Sequence, residues 1–383
     1  MIAVIKVRSC RNLGRFISFP DRLYKDDPNY VPELRIVRKM ILDRKKNPFL
    51  EHSKAEFFMA VQDRKVVGRI AVIRNNIHIR QTGEQCGFFG FFEVVEDYEI
   101  AKRLIDQAVM WLKNEKLDCL IGPENFTTND SCGILVSGYD TPPVVMMPYN
   151  KPYYEEFLTR YGFQKEIDLY SYSLNHLSFK HNYLKTLCHR IKSNLMDSGI
   201  NVRPIQFGNQ EEEISRLREV YNLANQDNWG FIPLDEKEFH EKAMQLKQLV
   251  TEELILVAEK DSRFIGFVVA VPDINQILIR IKSGKLGLFG LLQMFWHKRK
   301  VNNSRILILG VLEEYRNKGI DIYLYEKIQE NLKANGIFRC EACYVLENNE
   351  TMNAILEKLG GERIKTYRIY RYKMKNCNGR NGP

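Results

Sequence analysis

The chain runs twice through one order of elements, and this repetition limits its fold more than any other feature of its 383 residues. In the first half, Phe57-Phe-Met-Ala-Val-Gln, a polar turn and Val66-Val-Gly68-Arg-Ile-Ala-Val-Ile read as a β-hairpin. In the second, Leu254-Ile-Leu-Val-Ala-Glu, a polar turn and Phe264-Ile-Gly266-Phe-Val-Val-Ala-Val repeat it. Each hairpin is followed by a strand (Gly87–Glu93, Arg305–Val311), a loop and an amphipathic helix (Tyr98–Lys116, Ile320–Asn335). Ile100, Leu104, Ala108 and Leu112 form the apolar stripe of the first helix, and Tyr325, Ile328 and Leu332 that of the second. A strand, a short helix ending at Gly162 or Gly360 and a tyrosine-rich strand (Leu169–Leu174, Tyr367–Tyr372) close each copy.

At roughly 100–200 residues per domain, the length fits two such copies. The expected organisation is a first domain over 1–175, a linker or packing helix over 176–202 and a second domain over 203–383. Helical stretches are expected at Asp21–Asn47, broken by Pro28 and Pro32, and at Glu211–Gln226 and Asp235–Leu249. The fold class is α/β (α+β), each domain a mixed, mostly antiparallel sheet flanked by helices.

Lys and Arg number 57 against 48 Asp and Glu, a net charge of +9. That excess permits a phosphate-bearing partner without requiring one, and a nucleic-acid partner is not expected. The eight cysteines are scattered through apolar runs and read as reduced in a cytoplasmic protein. Cys340-Glu-Ala-Cys343 has CxxC spacing but lies in a strand, where residues three apart face opposite ways, and no second ligand pair accompanies it. No metal is expected. The N-terminus alternates like a strand rather than a signal peptide, and no run reaches the ~20 apolar residues a membrane span needs.

Strand Arg305–Val311 leads into Leu-Glu-Glu-Tyr-Arg316-Asn-Lys-Gly319-Ile and a helix. A loop of this kind turns backbone N–H groups toward one point at the positive end of the helix, which suits an anion such as a pyrophosphate. Arg316 and Lys318 add charge, and Gly319 permits close approach. Copy one has Glu93-Val-Val-Glu-Asp-Tyr-Glu99 at this place, acidic and without glycine, which should reject a pyrophosphate.

Val311 followed by Arg316-Asn-Lys-Gly319-Ile resembles the pyrophosphate loop of the GNAT (GCN5-related) N-acetyltransferases. Asn349-Glu-Thr-Met-Asn-Ala354-Ile-Leu-Glu-Lys-Leu-Gly360 is similar to the family's next motif, and together these cover about residues 250–374. The whole chain resembles a tandem GNAT protein of the YghO-like kind. The resemblance implies an acyl-CoA-dependent N-acyltransferase using acetyl-CoA or a longer acyl-CoA. Its C-terminal domain would bind the cofactor through Gly310, Val311, Arg316, Asn317, Lys318, Gly319, Ile320 and Asn349, with a small-molecule or peptide amine in the inter-strand or inter-domain cleft.

Departures from the family pattern bear on activity. Asp321 stands where the loop usually ends in Gly or Ala and could cap the helix but would also repel a diphosphate, Leu356 where a tyrosine acid often sits, and Gly361 where a Phe usually follows. Arg305–Gly310 carries no carboxylate to act as base. Glu93 and Asn349 are the catalytic candidates, Glu93 equally a solvated strand end.

Asn125, Asn129 and Tyr139, in the long segment Gly122–Pro143, and Trp229 and Phe231, between two helices, are substrate-side candidates; a surface loop and a core corner are the plainer readings of these segments. Leu286–Trp296 is apolar and flanked by Arg280, Lys282, Lys285, Lys298, Arg299, Lys300 and Arg305. Around 280–305 this fits a membrane surface, a lid on an acyl channel, an acidic carrier-protein dock or an extra packed helix. Two other functions remain open: a Fem-like aminoacyl-tRNA-dependent transferase, or a GNAT-derived binding module without catalysis.

Overall fold

The computed structural model of the chain describes residues 1–175, 182–281, 284 and 300–374. Two compact units emerge, the first comprising 1–168, 278–291 and 366–383, the second 169–277 and 292–365. Leu286–Trp296, with Lys282, Lys285, Lys298 and Arg299, lies outside the described residues.

In the first unit, β1 (Ile2–Lys6), β2 (Lys54–Gln62), β3 (Lys65–Arg74), β4 (Cys86–Val94), β5 (Cys119–Gly122) and β6 (Ile134–Ser137) are the local strands. β1 to β4 pair antiparallel in chain order, while β4 and β5 are parallel. The second unit takes β7 (Gln164–Asn175) from Leu169 onward, with β8 (Asn201–Pro204), β9 (Ile255–Lys260), β10 (Arg263–Pro272), β11 (Asn303–Val311) and β12 (Arg339–Leu346). Here β11 and β12 are the parallel pair, and the others pair antiparallel. The repeated hairpins and crossover helices stand where the sequence places them.

The tyrosine-rich closing strands do not stay in their own copies. β7 pairs with β12 of the second unit, whereas β13 (Glu362–Lys373), at the far end of the chain, pairs from Thr366 onward with β5 and β6 of the first. Side chains explain the stability of the exchanged strand. Arg368 grips Asp168 through two nitrogens at 2.6 and 3.0 Å and Glu155 at 2.9 Å, and Arg371 grips Glu166 at 2.7 and 2.8 Å. Such forked, charge-assisted bonds fix strand register as well as adding energy.

The predicted apolar stripes are buried. Ile100, Leu104, Ala108 and Leu112 of the Tyr98–Asn114 helix lie under the first sheet, and Tyr325, Ile328 and Leu332 of the Ile320–Ala334 helix are buried in the second unit. Each of the leucine and isoleucine side chains contributes about 1.5–3 kcal/mol by leaving water.

Two expectations need correction. The first helix runs Cys10–Leu23, N-capped by Ser9, and a second spans Arg35–Ile41, so 24–34 is not helical. Pro20 sits inside the first helix, and the chain leaves helical geometry after Leu23. The cysteines are also not all reduced: the β4–β5 register sets Cys86 beside Cys119, with Cα atoms 4.8 Å apart, and the two form a disulfide. Cys340 and Cys343 are buried free thiols whose pKa burial pushes up to about 12. Among the described residues, no helix is long and apolar enough to cross a membrane.

Candidate functional site

In the second unit, the parallel pairing of β11 with β12 ends at Ile306 opposite Ala342, although the strands continue to Val311 and Leu346. Beyond that point β11 pairs only on its β10 side, through Ile308, Leu309, Gly310 and Val311. Its other edge is left open by the described residues, so backbone donors there are available to a ligand. A loop and the Ile320–Ala334 helix follow this open edge. Asn317 and Gly319 adopt left-handed backbone conformations (φ 63° and 79°), the alternation that turns successive N–H groups inward. Gly319 is the N-cap and supplies no side chain, while the Asp321 carboxylate accepts from its own N–H and from that of Ile322 in the first turn.

The charged residues of the loop divide in role. Arg316 donates to the carbonyls of Ala224 (3.3 Å) and Val311 (3.4 Å), which ties the loop to the preceding strand and to the Gln210–Asn225 helix. Lys318 is exposed, its ammonium 4.6 Å from the Tyr315 ring centre. Asp321 is partly withdrawn from solvent; burial raises its carboxyl pKa, although the N–H of Ile322 donates to it. Gly319 is also crowded: a Cβ there would come within 2.9–3.1 Å of Ile191, on the Asn182–Asp197 helix.

Asn349 serves as a helix cap, its Oδ1 accepting from Met352 N at 3.1 Å. Asn353 donates to the Leu346 and Asn349 carbonyls and accepts from Tyr172 at 2.9 Å. Leu356 is wholly buried. Phe231 packs against Tyr221, ring centroids 5.6 Å apart, and Trp229 is half-buried beside it in the chain. Arg305 is not an exposed flank of the apolar insertion: it is 3 % exposed, its guanidinium 5.2 Å from the Tyr344 ring centre. Groups that sequence reasoning passed over lie on the neighbouring strands, where Ser171 Oγ is 3.3 Å from both Glu341 Oε2 and Cys343 Sγ.

The corresponding places in the first unit are closed by its own residues. β4–β5 pairing ends at Phe88 opposite Ile121, and the chain after β5 fills the gap. Glu124 N donates to Phe89 O at 2.7 Å, and Asn125 Oδ1 accepts from Phe91 N at 2.8 Å. The fit requires glycine: a Cβ on Gly90 would lie 2.0 Å from the Glu124 carbonyl oxygen. At the next helix, Asp97 caps the N–H groups of Glu99 (2.9 Å) and Ile100 (3.4 Å). Asn129 N donates to Thr127 Oγ1, and the Tyr139 hydroxyl donates to the Leu135 carbonyl, so these candidates are engaged in loop structure.

Glu93 is not a solvated strand end. Its side chain is 13 % exposed, and Oε2 accepts from the hydroxyls of Tyr24 (2.6 Å) and Tyr154 (2.8 Å). Burial raises its carboxyl pKa, while Arg69 and the two hydroxyls oppose that rise. Arg69, in the apolar run of β3, could have been flagged from sequence as a charge needing a buried partner; Tyr24 and Tyr154 carried no such signal.

Comparisons with known proteins agree with this geometry. The model of the Acetyltransferase (GNAT) family matches residues 214–360. The chain is 33% identical over 366 residues to Protein YghO of Escherichia coli K12, covering 94% of this chain and 92% of that protein. It is 31% identical over 376 residues to a bacterial ceramide synthase of Caulobacter vibrioides, covering 96% and 97%. Among solved structures, a tandem GNAT protein from the clavulanic acid biosynthesis pathway aligns over 97% of this chain and 98% of its own, with TM-score 0.55 at 12% identity. A GCN5-related N-acetyltransferase from Sphaerobacter thermophilus covers 97% and 95%, with TM-score 0.53 at 11% identity. The chain is a member of the GNAT acetyltransferase family.

Proposed function

We propose that the chain is an acyl-CoA-dependent N-acyltransferase that binds its acyl donor on the second unit and acylates a long-chain amine. The carrying observation is the contrast between the units: the second keeps an open strand edge and a glycine N-cap that contributes no side chain, whereas the first fills these places with Asn125 and Asp97. The donor group fits this setting. The N–H groups around Asn317 to Ile320 and the positive helix end suit a diphosphate, and Lys318 supplies charge.

When bound, an acyl-CoA supplies an activated thioester carbon. A backbone N–H near Gly310 and Val311, on the free edge of β11, would polarise the thioester carbonyl where negative charge develops. Arg316 holds the loop in shape through Ala224 and Val311. Asn349 supports the neighbouring helix as its cap. Preorganised backbone donors are effective here because they need no reorganisation during reaction.

The acceptor class is drawn from the relative named a bacterial ceramide synthase, since a ceramide is the N-acyl derivative of a long-chain amino alcohol. The test is isothermal titration with CoA and acetyl-CoA on wild type, Lys318→Glu and Arg316→Glu. Lys318 makes no hydrogen bond within the described chain, so its reversal should weaken binding about tenfold without loss of folding. No binding by wild type overturns the proposal. Binding without amide formation against a long-chain amine leaves a non-catalytic module, and RNA-dependent turnover a Fem-like transferase.

A further inference from the structure

Cys86 and Cys119 form the first pair of the parallel ladder between β4 and β5, and a disulfide joins them. Each is only 4 % exposed, yet the chain beside the pair is at the surface: residues 81–85 are all exposed, as are Lys116 and Asp118. The pair therefore sits at the rim of the sheet, one residue from solvent along each strand.

A guanidinium faces the sulfurs. Arg371 of β13 divides its nitrogens: Nε and Nη2 donate to the Glu166 carboxylate at 2.7 and 2.8 Å, whereas Nη1 stands 3.6 Å from Cys86 Sγ and 3.6 Å from Cys119 Sγ. Nη1 also meets Glu84 Oε2 at 3.4 Å, on a side chain that is 47 % exposed, and the same oxygen lies 3.6 Å from Cys86 Sγ. Cys86, Cys119, Glu84, Glu166 and Arg371 all belong to the first unit.

A neutral sulfur is a weak acceptor, while a thiolate carries a full charge that a guanidinium stabilises. A donor placed equally on both sulfurs therefore gives more to the reduced pair than to the disulfide. Stabilising the reduced form makes a disulfide easier to reduce. A permanent staple gains nothing from a cation at its sulfurs, since apolar neighbours would serve it as well.

We propose that Cys86 and Cys119 form a thiol–disulfide exchange site, set by Arg371 for reversible reduction by a small dithiol. The dithiol's thiolate attacks one sulfur of the pair, the protein S–S bond breaks, and its electron pair goes to the other sulfur, as a thiolate beside Arg371 Nη1. The second thiol of the reductant then displaces the remaining protein sulfur from the mixed disulfide. The pair gains two electrons, and the reductant leaves as its own disulfide. The two protons it loses go to the protein sulfurs or, for a sulfur held as thiolate, to solvent. A small disulfide drives the reverse reaction. The site is independent of the acyltransferase reading.

The test is peptide mass spectrometry of the folded full chain, equilibrated at pH 8 in graded mixtures of reduced and oxidised dithiothreitol and trapped with iodoacetamide, with circular dichroism as the check on folding. In wild type, Cys86 and Cys119 should be blocked without reductant and become alkylated together as the dithiol fraction rises. Arg371→Met should lower the equilibrium constant for reduction about tenfold. Should that variant fail to fold, Glu84→Gln reads the same effect with the opposite sign: removing the exposed anion beside Cys86 Sγ favours the thiolate, and the constant should rise several-fold. Reduction of wild type only when the fold is lost, alkylation of both cysteines without any reductant, or a constant equal to wild type in the variants that fold overturns the proposal.

Discussion

Replacing Glu124 by Gln should remove most of one component of the protein's pH dependence. Glu124 is 3 % exposed, Oε1 has no hydrogen-bond partner among the described residues, and burial, with Asp130 nearby, raises the carboxyl from its ordinary 4.5 to about 8. Below 4.5 the folded and unfolded chains both hold this proton. Between 4.5 and about 8 the folded chain holds it and the unfolded chain does not, so stability falls as pH rises. The slope is about 1.4 kcal/mol per pH unit, and the loss from pH 5 to pH 9 accumulates to about 4 kcal/mol. That value is an upper bound, because local opening around Glu124 lets water reach the ionised group. Glutamine keeps the shape and cannot ionise, so its stability relative to wild type should climb over the same interval. Urea unfolding of both proteins at unit steps from pH 5 to pH 9 measures this directly. A difference that stays flat with pH refutes the reasoning.

Gly319→Val places a β-branched residue at φ 79° and drives its Cβ to within 2.9–3.1 Å of Ile191. A loss of about 2 kcal/mol or more is expected by urea denaturation, with CoA binding lost in calorimetry. Asn349→Ala removes a helix cap and should cost about 1 kcal/mol. If Asn349 acts chemically, turnover of the folded variant would fall far more than that loss explains, so comparing melting and activity at one temperature separates the two roles.

The sequence made legible whatever is decided locally. Hairpin alternation, the stripes of the two long helices, the helix beginning at Asp235 and the Gly162 helix end all stand where composition and spacing put them. Long-range pairing was not legible. Cys86 and Cys119 are 33 residues apart, and only strand register sets them side by side. Asn125 looked like a surface loop residue because nothing local records that its amide oxygen meets Phe91 N. The Glu93 centre was half legible: the carboxylate at a strand end was visible, while Tyr24 and Tyr154 come from 69 and 61 residues away.

The crossing of the tyrosine-rich strands has a consequence for biosynthesis. A ribosome delivers the first copy's hairpin, crossover helix and β5 long before it delivers Arg368 and Arg371. Ordinary tandem domains fold in order of emergence. Here the nascent first unit must wait, with that edge of β5 unpaired, until β13 has been made. A gene cut at the repeat boundary would yield two fragments, each carrying the other's closing strand, so co-expression of halves should be planned around that trade rather than around the duplication.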